Sequence, residues 1–137
     1  MLSKTSIHAI RAVVALAELP DGVYGGTAKL AEQISAPPNY LGKLLQQLAR
    51  CGLLNSQKGL SGGFALARSA DSITLWEVVS ALEPVDRFYD CILGRDNCME
   101  HDPCPLHHQW KVARGYYLTM LEGTTVSTIL SRDLPLW

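Results

Sequence analysis

Apolar residues recur every three or four positions along most of this chain, which is the period of an α-helix. Ile7, Ile10, Val14, Leu16 and Leu19 predict a helix from about Ser3 to Leu19, halted by the turn signal Pro20-Asp21-Gly22. Thr27 is expected to cap a second helix, "AKLAEQIS", with Leu30, Ala31 and Ile34 on one face. In "APPNYLGKLLQQLARCGLL" a stripe of Leu41, Leu44, Leu45 and Leu48 faces a core. Pro38 suits the first turn of that helix, and Gly52 supplies its stop. The short connection "SAPP" makes the pair a helix-turn-helix.

The period then changes. "LLNSQKGLSGGFALAR" reads as strand, glycine-rich turn, strand. Leu53 and Leu54 open one strand; Phe64, Ala65 and Leu66 form its partner, with Lys58 near the tip. Gly59, Gly62 and Gly63 permit a tight turn and close backbone approach. A strand follows these glycines instead of a helix, and they do not match the Walker pattern, so a phosphate loop is discounted. Helical spacing returns in "ITLWEVVSALE", capped by Thr74 with Leu75, Val78, Val79 and Leu82 inward and Trp76 as packing. It returns again in "LHHQWKVARGYYLTMLEG", where Leu106, Trp110, Ala113, Tyr117 and Met120 or Leu121 form a stripe about four turns long. Gly123 breaks that helix, and Thr124 or Thr125 caps a short last one. The expected fold is mainly α with a small β-hairpin wing: a winged helix-turn-helix followed by a long C-terminal helix. Residues 1–83 form the winged helix, 84–105 a cysteine-rich loop, and 106–137 the long helix and tail.

Composition narrows the functional classes. At 137 residues, 47% apolar and 18% charged, the chain suits one compact domain or a small domain with an appended element. No apolar run reaches the ~18 residues of a membrane span. His8 and Arg11 interrupt the N-terminal apolar stretch, and no small-residue cleavage site follows, so it reads as an amphipathic helix of a cytoplasmic protein. The formal net charge is −1, but residues 1–70 carry seven basic and three acidic side chains, against five and ten in residues 71–137. The N-terminal half suits a polyanion; the C-terminal half repels one. Asn39, Tyr40 and Lys43 lie at the N-terminal end of the second helix of the helix-turn-helix, which in this motif enters the major groove. Asn and Lys can bond base edges or phosphates. With Lys58, Gly62 and Gly63 of the wing they are the candidate DNA contacts, against the alternative of an ordinary solvated face. No nucleophile–base pair, cofactor fingerprint or paired-carboxylate site is present, so an enzyme is not expected.

"CILGRDNCMEHDPCPLHH", residues 91–108, gathers Cys91, Cys98 and Cys104 with His101, His107 and His108. In a reducing compartment such a cluster favours metal or redox chemistry over disulfides. Six residues separate the first two cysteines and five the next two. This spacing matches neither a ferredoxin run nor a zinc ribbon, and alone it leaves zinc, iron–sulfur and no metal open. Cys51, at the end of the third helix, reads as a small buried apolar residue.

Tyr40-Leu41, the "GLL" of Gly52–Leu54, and "GGFALAR" followed by "ITLWEVV" carry a more specific signal. With the first helix they make residues 2–130 resemble the Rrf-type family of winged-helix transcription regulators, which includes IscR-like iron–sulfur regulators and NsrR-like nitric-oxide sensors. The resemblance implies a homodimer, joined through residues 106–122, on a partly palindromic double-stranded DNA operator. It implies an iron–sulfur cluster, [2Fe–2S] over [4Fe–4S] with zinc as the alternative, held by Cys91, Cys98, Cys104 and His107. His107 stands at the IscR-like histidine position, and Trp110 at the tryptophan that follows it. The first cysteine gap is one residue longer than the family's usual five, so zinc stays open. Where other members place an acidic ligand in the first helix this chain has Ile7, with His8 as its neighbour. Gly42 replaces an IscR-like glutamate, so any operator preference depending on that glutamate is not implied. The implied function is a regulator whose operator binding follows redox, nitric oxide or cluster status. The rivals are a zinc or thiol-switch regulator and a partner-docking module that uses the long helix.

Overall fold

The computed structural model describes residues 1–95 and 101–131. Helices α1 (Lys4–Ala17), α2 (Thr27–Ile34) and α3 (Pro38–Arg50) precede an antiparallel hairpin of β1 (Leu54–Gln57) and β2 (Gly63–Leu66). Helix α4 (Leu75–Ser80), a 3-10 turn over Val85–Tyr89, the long helix α5 (His107–Gly123) and the short α6 (Val126–Leu130) follow.

Local chemistry explains most boundaries. Ser3 caps α1 by accepting the Ser6 N–H at 3.1 Å. Helix α2 begins one residue earlier than expected: Gly26 is its N-cap and Thr27 its first helical residue, so Thr27 does not cap. Ser35 ends α2 in the left-handed region at φ 56°, and Pro37-Pro38 restarts the chain as α3. Gly52, at φ 79°, releases the chain after α3. Thr74 and Glu77 form a reciprocal capping box on α4. Thr125 caps α6 by accepting the Thr128 N–H.

The core is built where the apolar stripes meet. Leu41, Leu45 and Leu48 of α3 are sealed against Ala9, Ala12 and Val13 of α1 and Ile34 of α2. Burial of each leucine contributes roughly 1.5–3 kcal/mol. Val78, Val79 and Ile73 extend the same core towards Leu118, Leu121 and Val126, so the C-terminal helices close over the winged helix. A bridge between Thr74 and Thr125 ties the two ends together.

The inward face of α5 differs from the expected one. His107, Leu118 and Leu121 are buried and Tyr117 is half-buried, whereas Leu106, Ala113 and Met120 are exposed. The helix carries two apolar rows, and the row that packs on the domain runs through Tyr117, Leu118 and Leu121. The second row, Val112, Tyr116 and Met120, faces outward, with Tyr116 at 77% exposure. Cys51 is exposed instead of buried. It is the C-cap of α3, one residue past the helix, and so falls off the leucine stripe.

Candidate nucleic-acid interface and ligand loop

Helix α3 and the wing enclose an open groove lined by Thr27, Asn39, Gly42, Lys43, Gln46, Gln47, Arg50 and Phe64. Two of the predicted contacts, Asn39 and Lys43, are exposed along it. Gln46 and Arg50 extend the same line, so every outward turn of α3 offers a hydrogen-bonding or cationic side chain. Gln47 is half-turned inward; its Nε2 donates to the Ala81 carbonyl at 3.4 Å, joining α3 to the end of α4. Tyr40 stands apart from this line: its hydroxyl donates to Thr5 Oγ1 at 2.9 Å, and its ring meets His8 edge-on at 5.7 Å. Tyr40 thereby fastens the start of α3 to α1. His8 Nδ1 is buried there and accepts no hydrogen bond.

The wing is rigid at its base. Gly25 N–H donates to the Phe64 carbonyl at 2.7 Å, and Phe64 N–H to the Gly25 carbonyl at 2.9 Å. The entry to α2 thus meets β2 in a single antiparallel bridge. Gly63, at φ 140°, approaches so closely that an added Cβ would lie 2.0 Å from the Gly25 oxygen, and one on Gly62 would lie 2.2 Å from the Gln57 oxygen. Both predicted glycines are therefore required by backbone packing inside the protein. Lys58 is exposed beside the tip.

The predicted cluster ligands lie between the 3-10 turn and the start of α5. Cys91 follows the 3-10 turn and is buried, Cys104 is half-buried, and His107 opens α5, 5% exposed. The His107 N–H donates to the Cys104 carbonyl at 3.0 Å. Arg95 clamps the loop: it donates to the Asp102 carboxylate at 2.7 Å and to the Asp102 carbonyl at 3.1 Å. The hydrogen bond that Arg95 donates to Asp102, and then the Asp102 charge, hold the guanidinium more firmly protonated. Cys98 lies outside the described residues, and among those residues no three His, Cys, Asp or Glu side chains are grouped to hold a metal ion. Cys91, Cys104 and His107 are donors of the kind that an iron–sulfur centre or zinc takes, but they are not drawn together as a ligand set here. His108 meets His107 edge-on at 5.3 Å and, like His101, is exposed.

Sequence reasoning singled out Trp110 and Trp76 but not the partners through which this loop is fastened to the rest. Trp110 Nε1 donates to the Asp90 carbonyl at 2.9 Å, and Arg114 to the Tyr89 carbonyl at 3.0 Å while lying over the Tyr89 ring. Phe88 packs between Trp76 and Tyr117. Glu83 is the polar centre: buried, it accepts from the Ser3 and Ser6 hydroxyls and from Arg87. Burial pushes its carboxyl up, but the two hydroxyls and the Arg87 charge outweigh it and hold the group below its usual range. The Tyr117 hydroxyl is buried close by, and burial, then the Glu83 charge, raise its pKa and keep the phenol protonated. The only signal in the sequence was an acid placed at the end of an apolar helix.

The Rrf2 family, described as iron-dependent transcriptional regulators, matches residues 2–132. A protein of Aquifex aeolicus (strain VF5), named as an HTH-type transcriptional regulator, is 29% identical over 105 residues, covering 75% of this chain and 73% of its own. Among solved structures, CymR of B. subtilis, titled the global cysteine regulator, superposes with a TM-score of 0.79 at 21% identity over 96% of both chains. IscR of T. potens superposes with a TM-score of 0.76 at 21% identity, over 96% of this chain and 86% of its own. The oxidized form of Staphylococcus aureus CymR gives 0.79 at 20% identity over 98% and 99%. At these identities the structures establish the fold, a winged helix with an appended long helix.

Proposed function

Because the chain belongs to the Rrf2 family of transcriptional regulators, we propose that it is a homodimer whose operator binding is set by the state of an iron–sulfur centre held in the Cys91–His107 loop. The chain is a DNA-binding regulator and not an enzyme. The finer reading concerns which residues touch DNA and what controls them.

Asn39, Lys43, Gln46 and Arg50 read the major groove, while Lys58 holds a flanking phosphate. Gly62 and Gly63 shape the wing, and Tyr40 sets the pitch of α3 through Thr5. The outward row Val112, Tyr116 and Met120 pairs with its copy across a two-fold axis, fixing the separation of the two α3 helices. Half-site spacing is dictated by DNA geometry, so a small change in that separation changes affinity.

Cys91, Cys98, Cys104 and His107 would hold the cluster, a [2Fe–2S] form by preference. When bound, it supplies a centre that gains or loses electrons and reacts with oxygen or nitric oxide. The observation that carries this reading is the fastening of the segment just before Cys91, residues 83–90, to both α5 and α1. On one side Asp90 and Tyr89 are bonded to Trp110 and Arg114 of α5. On the other, Glu83 accepts from Ser3 and Ser6 at the start of α1 while Arg87 donates to the same carboxylate, and Thr5 of α1 is bonded to Tyr40 of α3. A loop that tightens or slackens around its ligands therefore pulls on the dimer helix and the reading helix together.

The test is purification without oxygen, with visible absorption and iron, sulfide and zinc analysis of the wild type and of Cys98→Ala and His107→Ala. Iron with matching sulfide, lost in the variants, is expected. Zinc without sulfide supports the zinc rival. A colourless, metal-free protein that stays colourless after reconstitution removes the cluster altogether.

A further inference from the structure

Leu60 occupies an unusual place for a large apolar residue. It stands at the tip of the wing, in a four-residue turn closed by the Gly62 N–H donating to the Gly59 carbonyl at 3.1 Å, and its side chain is fully exposed. Its surroundings are polar or glycine: Asn55, Ser56, Gln57, Lys58, Gly59 and Ser61 are all exposed. A single exposed leucine is ordinary on a protein surface; what distinguishes this one is the support beneath it. The β1–β2 register, Gln57 opposite Gly63, brings the backbone together directly below the tip. The Gly25–Phe64 bridge fixes the base to the entry of α2. The tip is a stiff prong that cannot fold back to bury its leucine.

The prong is also continuous with the reading groove, since Phe64 at its base lines that groove alongside Lys43 and Arg50. Strand β1 (Leu54–Gln57) rises about 10 Å from end to end, at about 3.3 Å per residue, and carries the turn with Leu60 at its end, so a wing beside a helix seated in the major groove points its tip at the adjoining phosphate ridge. Beyond that ridge lies a minor groove about 6 Å wide. Its floor and sugar walls accept apolar side chains, and leucine is among the residues that wedge between base steps there. Lys58, two residues before the tip, is placed to hold the phosphate on the way.

We propose that Leu60 is an apolar wedge that enters the minor groove flanking each half-site and favours an easily unstacked pyrimidine–purine step at a position α3 does not reach. This rests on the DNA-binding reading of α3 and the wing. The role is a specificity determinant: the energy of opening a step depends on its sequence, so the flank is read through its deformability.

The test begins with selection of binding duplexes from a random pool by the wild type, Leu60→Ala, Leu60→Met and Lys58→Ala, all surface changes that leave the core untouched. A 2-aminopurine probe is then placed at the enriched flanking step. The wild type and Leu60→Met are expected to enrich TA or CA/TG at a fixed distance from the half-site and to brighten the probe. Leu60→Ala is expected to keep the half-site, lose the flanking preference and bind about tenfold more weakly per wing, the loss of burial of roughly two methylenes. Its salt dependence should be unchanged, whereas Lys58→Ala should flatten that dependence by about one phosphate contact. If Leu60→Ala selects the same flank with the same affinity and probe signal, the wedge is refuted while DNA binding stands. If the wild type itself selects nothing and shows no salt-dependent binding, the reading beneath it fails as well.

Discussion

Replacing Glu83 by alanine should be among the most damaging single changes outside the leucine core. The side chain is 6% exposed and accepts three hydrogen bonds, from Ser3, Ser6 and Arg87. Arg87, half-exposed, can turn to water, but Ser6 has no exposure at all, so its hydroxyl is left buried and unpaired. Loss of a charged hydrogen-bond acceptor together with an orphaned buried hydroxyl costs about 3 kcal/mol. For a chain of 137 residues that is a fall in Tm of roughly 10 °C. Glu83→Gln, which keeps an acceptor oxygen but not the charge, should cost about half as much. Proton linkage gives an independent check. The folded carboxyl titrates below its unfolded value, so its stabilisation is present above the unfolded pKa and is lost as pH falls through the folded one. The gap between wild type and Glu83→Gln should therefore be full at pH 7 and shrink towards pH 3. Glu77, whose carboxyl is raised by burial but held low overall by Thr74 and Arg68, is common to both proteins and cancels. Urea melts at the two pH values measure both quantities. A Glu83→Ala protein within about 0.5 kcal/mol of wild type, or a Gln gap unchanged by pH, would show that the buried network is not what binds α1 to the loop.

Other consequences are sharp enough to check. Gly63→Ala places a Cβ 2.0 Å from the Gly25 oxygen at φ 140°; a loss of about 3 kcal/mol or more is expected in denaturant melts, whereas Gly59→Ala, strained at φ 107° but with open space around it, should cost less, about 1–2 kcal/mol. Tyr116→Glu puts a charge in the outward row of α5 and should yield a folded monomer by light scattering, with operator affinity falling at least tenfold as the second half-site is lost. Lys43→Ala should weaken binding to all duplexes and lower the salt slope by about one contact, while Tyr40→Phe, which removes only the bond to Thr5, should weaken operator binding with the salt slope unchanged.

Much of the fold was legible because helical period and turn chemistry agree along the N-terminal half. Leu41, Leu44, Leu45 and Leu48 form one unbroken stripe, and Pro38 and Gly52 mark its ends, so α3 could be drawn residue by residue. Helix α5 was visible as a helix, but its inward face was not. It has two apolar rows, and periodicity cannot say which meets its own domain and which meets solvent or a partner. Thr27 looked like a cap because Gly26 offers no side chain to compete for the role; the bridge from Gly25 to Phe64 settles the start of α2, and it pairs residues far apart in sequence. Ser3 and Glu83 are 80 positions apart, and no local pattern links them. The wing glycines were recognised as permitting close approach, but the backbone they approach is the protein's own. Asn39, Lys43 and Lys58 are exposed on α3 and the wing, while Tyr40 is hydrogen-bonded to Thr5 of α1.

The most direct measurement is operator affinity of one anaerobic preparation before and after the cluster is removed, with iron and sulfide counted in the same samples. Cluster control predicts curves separated by at least about tenfold, the scale of a 1.4 kcal/mol coupling, and their collapse onto one another in Cys98→Ala. Superimposed curves from a preparation that carries iron and sulfide would contradict it.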